Sequence, residues 1–291
     1  MTGARWRTVG LALLGFVMLA VLWEGYKWFW GAVDGSVLGW DLPASGDDTS
    51  MPHVWTVVER FGQPELRGSE RTVGAAVLAG AWFTFRMAMG GFLIGVVVGL
   101  ALAVVMQRFR LAEQGLLPYV ILSQTVPLVA LAPLVAGWGG NLSLPILGEW
   151  ESWMSVVVIA AYLAFFPVAV GALRGLQSPS RASVELMRSY ACPDRKTLWK
   201  LRFPAALPYL APALKLAAAA AVVGAIVAEI STGTKGGIGR LIIEYSREAT
   251  GDPAKVYTAV IAAALLGLLV AGIVTAFDTV AMRNRPKETA A

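Results

Sequence analysis

Few side chains in this sequence are of the types that carry out covalent chemistry. The 291 residues include one histidine, His53, and one cysteine, Cys192. A metal site built on several His or Cys ligands is therefore excluded, and a Ser-His or Cys-His catalytic pair could use only His53. A disulfide within the chain is also excluded. The sequence contains neither HExxH nor GxSxG, which argues against an intramembrane hydrolase.

One long basic segment with helix character interrupts the apolar sequence at residues 182–208, ASVELMRSYACPDRKTLWKLRFPAALP. Its central Pro193 lacks an N–H and disfavours helix at the preceding residue, so we predict a short helix, a turn and a second short helix. The acidic Glu185 has no partners for acid-base catalysis, so we interpret the segment as a surface for another protein. We expect one buried apolar face, formed by Val184, Met187, Ala191, Leu198, Leu201 and Phe203.

Polar residues within apolar runs are the candidates for a transport pathway. The run at 115–138 contains prolines and polar side chains, which free backbone groups that must find partners in protein or in a water-lined cavity. Either a pathway helix or a kinked packing helix would fit this composition. Its pathway candidates are Ser123, Gln124, Thr125, Pro127 and Trp138. Glu229 is a further candidate, because an ionisable group at membrane depth is a functional hypothesis by default. The alternative is that Glu229 caps a helix or pairs with Lys235 or Arg240 at the interface.

These residues lie in a chain with the composition of a membrane protein. It is 57% hydrophobic and 15% charged, and its apolar runs have about the 20 residues that a helix needs to cross a bilayer. We predict an all-α polytopic protein of about six transmembrane helices. The predicted spans are residues 9–30, 81–106, 115–138, 153–173, 209–230 and 256–278. The first run ends in Trp23, Trp28 and Trp30 without a clear cleavage site, so we favour a retained span over a signal peptide.

The distribution of Lys and Arg predicts the orientation. One set of segments outside the spans holds about twice as many basic residues as the other. This set comprises the segments before the first span, after the second and sixth, and between the fourth and fifth. An excess of Lys and Arg is typical of the cytoplasmic side. Both termini, segment 182–208 and the tail 281–291 should therefore be cytoplasmic, and residues 31–77 should form an external loop with a short helix near 53–61. The net charge of +5 needs no nucleic-acid partner, since membrane proteins gather basic residues on the cytoplasmic side.

Segment 182–208 resembles the cytoplasmic signature loop of ATP-binding-cassette (ABC) importer permeases. That pattern is Glu-Ala-Ala, three residues, Gly, nine residues, then Ile-x-Leu-Pro, and it fits here without a gap. The matching positions are Glu185, Leu186, Met187, Ala191, Leu201, Phe203 and Pro204. Leu-Met replaces Ala-Ala, and Ala191 replaces Gly, which implies a slightly different or less tight turn. The stretches AWFTFRMAMGGFLIGVVVGLALA, SQTVPLVALAPLVAGWGG and FPAALPYLAPALKLAAAAAVVGAIVAEI also resemble the nitrate, sulfonate, taurine and pyrimidine-precursor permeases.

This resemblance implies a type I ABC importer transmembrane domain (MetI-like fold) over residues 78–280, with the coupling loop at 178–205. The loop, with Glu185, Leu186, Met187, Arg188, Tyr190 and Ala191, would dock on a separate ATPase. Glu185 would hold the loop through hydrogen bonds or ion pairs, and Met187, Tyr190 and Ala191 would contact the ATPase. The sequence has no Gly-x-x-x-x-Gly-Lys-Ser/Thr loop, so ATP would be bound by that ATPase and this chain would bind no cofactor. An external, periplasmic or lipid-anchored binding protein would deliver the substrate to a homodimer in the bacterial inner membrane.

Two other classes of function remain open on the sequence alone. A secondary transporter could use Arg86, Lys215 and Glu229 as an ion relay, although no inverted repeat is visible. A noncatalytic membrane scaffold is the other alternative.

Overall fold

The fold is almost entirely helical, as predicted. The computed structural model describes residues 2–33, 36–37, 40–41, 45–141, 143–144 and 148–281, with side chains given up to residue 276, except for some near the N-terminus and in the hairpins. Its helices are α1 Thr2–Ala32, α2 Val54–Arg60, α3 Val73–Arg108, α4 Arg110–Leu122, α5 Leu128–Gly139, α6 Ser152–Gln177, α7 Arg181–Ser189, α8 Asp194–Thr197, α9 Phe203–Thr232, α10 Ile238–Arg247 and α11 Pro253–Ala281. The strands β1 Ser36–Val37, β2 Trp40–Asp41, β3 Ser143–Leu144 and β4 Gly148–Glu149 form two antiparallel hairpins.

The predicted spans all fall on helices. Within the described residues, four helices are long and apolar enough to cross a membrane: α3, α6, the continuous helix Asp194–Thr232, and Pro253–Ala276 of α11. The pair α4–α5 makes a fifth candidate. Helix α1 covers the first predicted span, and the predicted tail 282–291 lies outside the described residues. An all-α polytopic membrane protein is therefore confirmed.

The third predicted span is not one continuous helix. Helices α4 and α5 meet at an angle of 104°, separated by a 3₁₀ turn at Ser123–Thr125. Pro127 has extended backbone at φ −65° and ψ 115°, and α5 begins directly after it. Pro118 and Pro133 lie inside α4 and α5. The helix breaks here and does not merely bend, because Pro127 restricts Val126 to an extended conformation.

The chain folds as two compact units. One comprises residues 1–78 and 241–261, and the other residues 79–240 and the chain from Ala262 onward. In the first unit, the indole nitrogen of Trp23 donates to the Pro52 carbonyl at 3.0 Å, and the Val54 N–H donates to Glu24 at 2.8 Å. These bonds fix α1 to the start of α2, which is the short helix predicted near 53–61.

A polar cluster in the same unit joins the loop after α2 to the end of α10. The Tyr245 hydroxyl donates to Glu65 at 2.8 Å, and Arg60 pairs with Asp252 at 2.7 Å. Burial, and then the bond to Glu65, raise the pKa of Tyr245. Its hydroxyl therefore remains a donor at physiological pH. The buried Lys255 lies over the Tyr245 ring and pairs with Glu248 at 2.5 Å, so its charge is compensated.

In the second unit, α6 lies between α3 and α9, and small residues line both contacts. A Cβ atom on Gly91 of α3 would overlap the Cβ of Ala160, and one on Gly224 of α9 would lie 3.1 Å from the Cα of Ala160. A Cβ on Gly171 would overlap the Cβ of Ala213. Small residues allow helix backbones to approach closely. Such close packing holds helices together in lipid, where no hydrophobic effect drives one helix against another. The four-residue spacing of Gly91, Gly95 and Gly99 therefore serves packing within the chain.

The close approach of α3 and α6 gives a prediction for Gly91→Ala. The added methyl group would overlap the side chain of Ala160 and lie 2.8 Å from the backbone nitrogen of Ala161, so the helices must separate. We expect a loss of about 1–3 kcal/mol of stability, the usual cost of overpacking, measured by thermal unfolding of the purified chain. Gly267→Ala in α11 is the matched control, because nothing lies within 4 Å of its Cβ position. Equal stability of the two variants would contradict this packing.

Candidate functional site

The first half of the predicted coupling loop is a well-terminated helix. Ser180 precedes α7 and its hydroxyl accepts from the Ser183 N–H at 3.2 Å, a favourable N-cap. At the other end, the Ala191 N–H donates to the Arg188 carbonyl at 2.8 Å, and the Cys192 N–H donates to the Met187 carbonyl at 3.0 Å. These two bonds form a Schellman motif. Local hydrogen bonds therefore fix both ends of α7 without help from a partner.

Ala191 occupies the one position of this motif that favours glycine. Its φ is +49°, and it is the only residue other than glycine with positive φ in the described part of the chain. An L-residue in this left-handed region crowds its Cβ against the following carbonyl. The turn is therefore the left-handed turn that a glycine would make, and the expectation of a slightly different or less tight turn at Ala191 is wrong. The methyl group adds strain and an exposed contact point.

The predicted buried face of this segment is only partly formed, by Leu198 and Phe203, which pack against a buried cluster. Of its six residues, Ala191 is exposed and the other five are only half-buried. Two large apolar side chains of α7 and its C-cap are open to solvent: Leu186, at 57% exposure, and Tyr190, at 75%. Apolar residues at i and i+4 share one helix face. Helix α7 therefore presents an apolar patch, Leu186 and Tyr190, with the half-buried Met187 beside it.

Glu185 and Arg188 lie on the exposed part of α7. Within the described residues, neither side chain makes a hydrogen bond or an ion pair. The expectation that Glu185 holds the loop through such contacts finds no support within this chain. Its carboxylate is instead available to a group outside it.

The second half of the segment runs without interruption into a transmembrane helix. Helix α8 passes through a π-helical turn at Leu198–Arg202 into α9, which gives one helix of 39 residues, Asp194–Thr232. Pro204 is the second residue of α9, the helix that follows the π-helical turn directly. Leu198 and Phe203 pack against a buried cluster from α3, α6 and α9 that includes Met106 and Leu176.

A side-chain hydrogen bond strengthens this attachment, and an aromatic residue extends the exposed surface. The Arg202 guanidinium donates to the Leu176 carbonyl of α6 at 2.8 Å. Trp199 is 61% exposed and stacks on Phe203 with ring centroids 4.7 Å apart. Leu201 is half-buried beside them. The sequence predicts no role for Trp199, because nothing in the pattern KTLWKLRFP distinguishes it from its neighbours.

The pathway candidates of the third span cluster at the break between α4 and α5. The hydroxyls of Ser123 and Thr125 donate to the carbonyls of Val120 and Leu122 at 2.7 and 2.8 Å. Gln124 donates to the Ser123 hydroxyl at 3.2 Å, and the Tyr162 hydroxyl of α6 donates to the Ser123 carbonyl. These bonds satisfy groups freed by the break. Thr125 and Pro127 are exposed, whereas Trp138, 61% exposed, lies at the far end of α5.

Glu229 is placed apart from these residues, in the interior of the second unit. Its side chain is 0% exposed. The Thr84 hydroxyl of α3 lies 2.8 and 3.0 Å from its two carboxylate oxygens, and the Gly239 N–H donates to it at 2.8 Å. Thr84 in turn accepts from the Ile238 N–H at 2.9 Å. The carboxylate thus joins α9, α3 and the turn before α10, and in the single chain it reaches no solvent.

Glycine at 237 is required by this carboxylate. A Cβ on Gly237 would overlap the Glu229 carboxyl carbon, so any side chain there would displace it. The sequence indicates only a turn for the motif GGIG after the fifth span. Its closeness to Glu229 could not be predicted, because nothing in the sequence indicates how the chain folds back. No group of three or more His, Cys, Asp or Glu in the described part of the chain is arranged to hold a metal ion.

The helices that carry these groups match a known family. Residues 91–280 match the family model described as "Binding-protein-dependent transport system inner membrane component", which is more than half of the chain. The chain belongs to this family. The predicted resemblance to ABC importer permeases is therefore confirmed, and with it a multi-pass place in the membrane.

Individual relatives are 28–32% identical to part of the chain. A "Probable ABC transporter permease protein" of Haemophilus influenzae is 32% identical over 153 residues, 53% of this chain and 58% of that protein. The "Formylaminopyrimidine transport permease protein ThiX" of Halalkalibacterium halodurans is 28% identical over 202 residues, 68% of this chain and 74% of the relative. The "Putative aliphatic sulfonates transport permease protein SsuC" of Bacillus subtilis is 28% identical over 185 residues, 64% and 62%. The chain thus spans between 58% and 74% of the length of these relatives.

The left-handed turn after α7 predicts that Ala191→Gly stabilises the chain. Removing the Cβ relieves crowding that costs roughly 1–2 kcal/mol, partly offset by the greater freedom of glycine in the unfolded chain. We expect a net gain of about 0.5–1 kcal/mol in thermal unfolding. Ala182→Gly is the control, since Ala182 is an exposed helical position of α7 where glycine costs about 1 kcal/mol. A loss of stability in both variants would show that the turn is not left-handed in solution.

The buried contacts of Glu229 predict a difference between two substitutions. Glu229→Gln keeps an acceptor for the Gly239 N–H and for the Thr84 hydroxyl, whereas Glu229→Ala leaves these two donors buried without an acceptor. Each such group costs about 1–3 kcal/mol, so Glu229→Ala should be the less stable variant by at least about 2 kcal/mol. Thermal unfolding of both purified variants measures this. Equal stability would mean that the carboxylate does not join the three elements.

Proposed function

We propose that this chain is the permease subunit of an ABC importer, driven by a separate ATPase that docks on α7. The observation that carries the proposal is the apolar patch of Leu186 and Tyr190 on a locally fixed cytoplasmic helix. An apolar patch at the centre of a docking surface is the usual place for binding hot spots. Glu185 and Arg188 lie beside the patch without partners in the described chain, so they are available to fix its orientation on the ATPase. The chain itself would bind neither ATP nor another cofactor.

The attachment of the docking surface supports its role as a lever. The second half of the segment is continuous with α9, and Leu198 and Phe203 bind it to the buried cluster of the second unit. A displacement of the docked segment would therefore move a 39-residue helix rather than a loop. Closure of the ATPases would displace α9. Because Glu229 lies near the far end of α9, this displacement would act on the contact of α9 with α3 and with the turn at Gly237–Gly239.

The pathway is proposed to pass the break between α4 and α5. Ser123, Gln124, Thr125 and Pro127 lie there, and the last two are open on the surface of the single chain. A second copy of the chain would enclose this surface, which makes a homodimer the expected assembly. Trp138 would lie at the outer end of the pathway. Glu229 would act on the pathway through the position of α9, because its carboxylate is enclosed by protein.

The substrate is proposed to be a small solute delivered by an external binding protein. The relatives' names point to formylaminopyrimidine and aliphatic sulfonates, so the expected class is a small anion such as a sulfonate, nitrate or taurine, or a heterocyclic vitamin precursor. The chain would lie in the bacterial inner membrane with both termini on the cytoplasmic side. Residues 31–77 would then be external, on the side of the binding protein.

The exposed patch predicts which substitutions release the ATPase. Tyr190→Ala and Leu186→Ala each remove an exposed apolar side chain without disturbing the core. Loss of a hot-spot side chain costs about 2 kcal/mol or more, roughly a thirtyfold weaker complex. We expect this weakening when the ATPase that supports uptake by this chain is titrated against the purified permease. ATP-driven uptake in proteoliposomes should fall with it.

Leu111→Ala is the matched control, because Leu111 is 84% exposed and lies in α4, outside the docking segment. The proposal fails if Tyr190→Ala and Leu186→Ala bind the ATPase as tightly as the unmodified chain, or if Leu111→Ala weakens binding equally. ATP-independent uptake by the lone chain would favour a secondary transporter instead.

A further inference from the structure

An arginine-lined cleft opens where the end of α3 meets the docking segment. It lies within the second unit, and it does not include Leu186 or Tyr190 of the apolar patch. Its polar walls are formed by Gln107, Arg108, Arg188, Asp194, Arg195 and Arg202. Four arginines thus surround one carboxylate, and no part of the proposed docking function requires that arrangement.

The positive charge of the cleft is only partly compensated within the chain. Asp194 pairs with Arg108, and the Arg202 guanidinium donates to a neutral carbonyl, that of Leu176. Arg188 and Arg195 make no ion pair within the described residues. The charge of Arg188 also repels that of Arg202. The charge of Asp194 partly offsets that repulsion. The four guanidinium groups still outnumber the one carboxylate of the cleft, so a bound anion would lower their mutual repulsion further.

The donor geometry suits phosphate. A guanidinium presents a rigid fork of N–H donors that matches phosphate oxygens. The polar amide of Gln107 adds a further donor at the same wall. The cleft also opens to solvent, since Arg188 and Arg195 are exposed, so a ligand can enter without rearrangement of the helices.

The position of the cleft indicates where the phosphate comes from. Arg108 is the last residue of the α3 span, and Arg202 begins the apolar part of the helix Asp194–Thr232. Trp199, exposed beside them, is a residue type that concentrates at the membrane interface. Basic pockets between transmembrane helices on the cytoplasmic side take anionic lipid head groups. With α3 and α9 as spans, the cleft would lie at the level of lipid phosphates.

We propose that this cleft binds the phosphate of an anionic phospholipid of the cytoplasmic leaflet, held between Arg188, Arg195 and Arg202. The bound lipid joins the end of α3 to the docking segment. The proposal rests on the proposed orientation of the chain, because it requires this end of α3 to face the cytoplasm.

The test measures lipid binding to the full chain, purified in a neutral detergent, by native mass spectrometry. The probes are phosphatidylglycerol, phosphatidylcholine with the same acyl chains, and inorganic phosphate. We expect phosphatidylglycerol to bind more tightly than phosphatidylcholine. Arg195→Gln should weaken phosphatidylglycerol binding about fivefold, since each basic side chain near an anionic lipid contributes about 1 kcal/mol. Asp194→Asn should strengthen it by a similar factor, because it removes the only carboxylate of the cleft.

Arg174→Gln is the matched control, since Arg174 is an exposed arginine at the end of α6 outside the cleft. Binding of inorganic phosphate that is weakened by Arg195→Gln, without binding of phosphatidylglycerol, would keep the phosphate site but overturn the lipid as its source. Equal weakening by Arg174→Gln, or no effect of either substitution, would overturn the site altogether.

ATPase binding, measured in parallel, separates this proposal from the proposed function. Loss of lipid binding in Arg195→Gln with unchanged ATPase affinity supports a lipid site. Loss of ATPase affinity with unchanged lipid binding would show instead that an acidic side chain of the ATPase occupies the cleft. If Tyr190→Ala fails to release the ATPase while Arg195→Gln weakens lipid binding, the docking proposal fails and the lipid site stands.

Discussion

The close packing of α6 against α3 and α9 is the constraint on which the second unit depends. Ala160 of α6 is met from one side by Gly91 and from the other by Gly224, so three backbones are brought together at one level. In a bilayer, helix association is driven by such close contacts, because lipid tails are as apolar as the side chains. Farther along α6, the same role falls to Gly171 and Gly175, which meet Ala213 and Ala206 of α9. The docking segment is attached at the end of this stack where Gly175 meets Ala206. Glu229 joins α9 to α3 toward the opposite end.

The stack explains why a change at the cytoplasmic surface can be transmitted across the membrane. Close packing of small side chains leaves few intermediate arrangements, since a shift of one backbone creates either a clash or a void. Leu198 and Phe203 connect the docking segment to this packing. The π-helical turn at Leu198–Arg202 lies between them, and such turns are frequent at functional positions of long helices. The lever is therefore continuous in its backbone, with one turn of different pitch near the docking surface.

The spans and the docking segment can be predicted from the sequence because their signals are local. Apolar runs of fixed length mark the helices, and the spacing from Glu185 to Ala191 and Pro204 marks the segment. The glycines at 91, 95 and 99 predict a close helix contact by their period alone. Pro127 and its polar neighbours indicate a disturbed span, but the angle of 104° depends on α6, whose Tyr162 binds the Ser123 carbonyl. The exposure of Ala191 is not predicted, because apolar residues among charges on a short helix suggest a buried face that would include Ala191.

What the sequence could not provide are the contacts between distant residues. Thr84 and Glu229 are 145 positions apart, and Arg108 and Asp194 are 86 apart, so no periodicity connects them. These contacts also differ in strength. Glu229 is enclosed and its partners are neutral, so separating them would expose unsatisfied groups, whereas the Arg108–Asp194 pair is open to water and contributes little. The second half of the docking segment is thus held to the cluster of α3, α6 and α9 through Leu198 and Phe203 and to α6 through Arg202. Helix α7 precedes this anchored half, and the charges that line the opening between α7 and the end of α3 are the ones best placed to control how α7 moves relative to it.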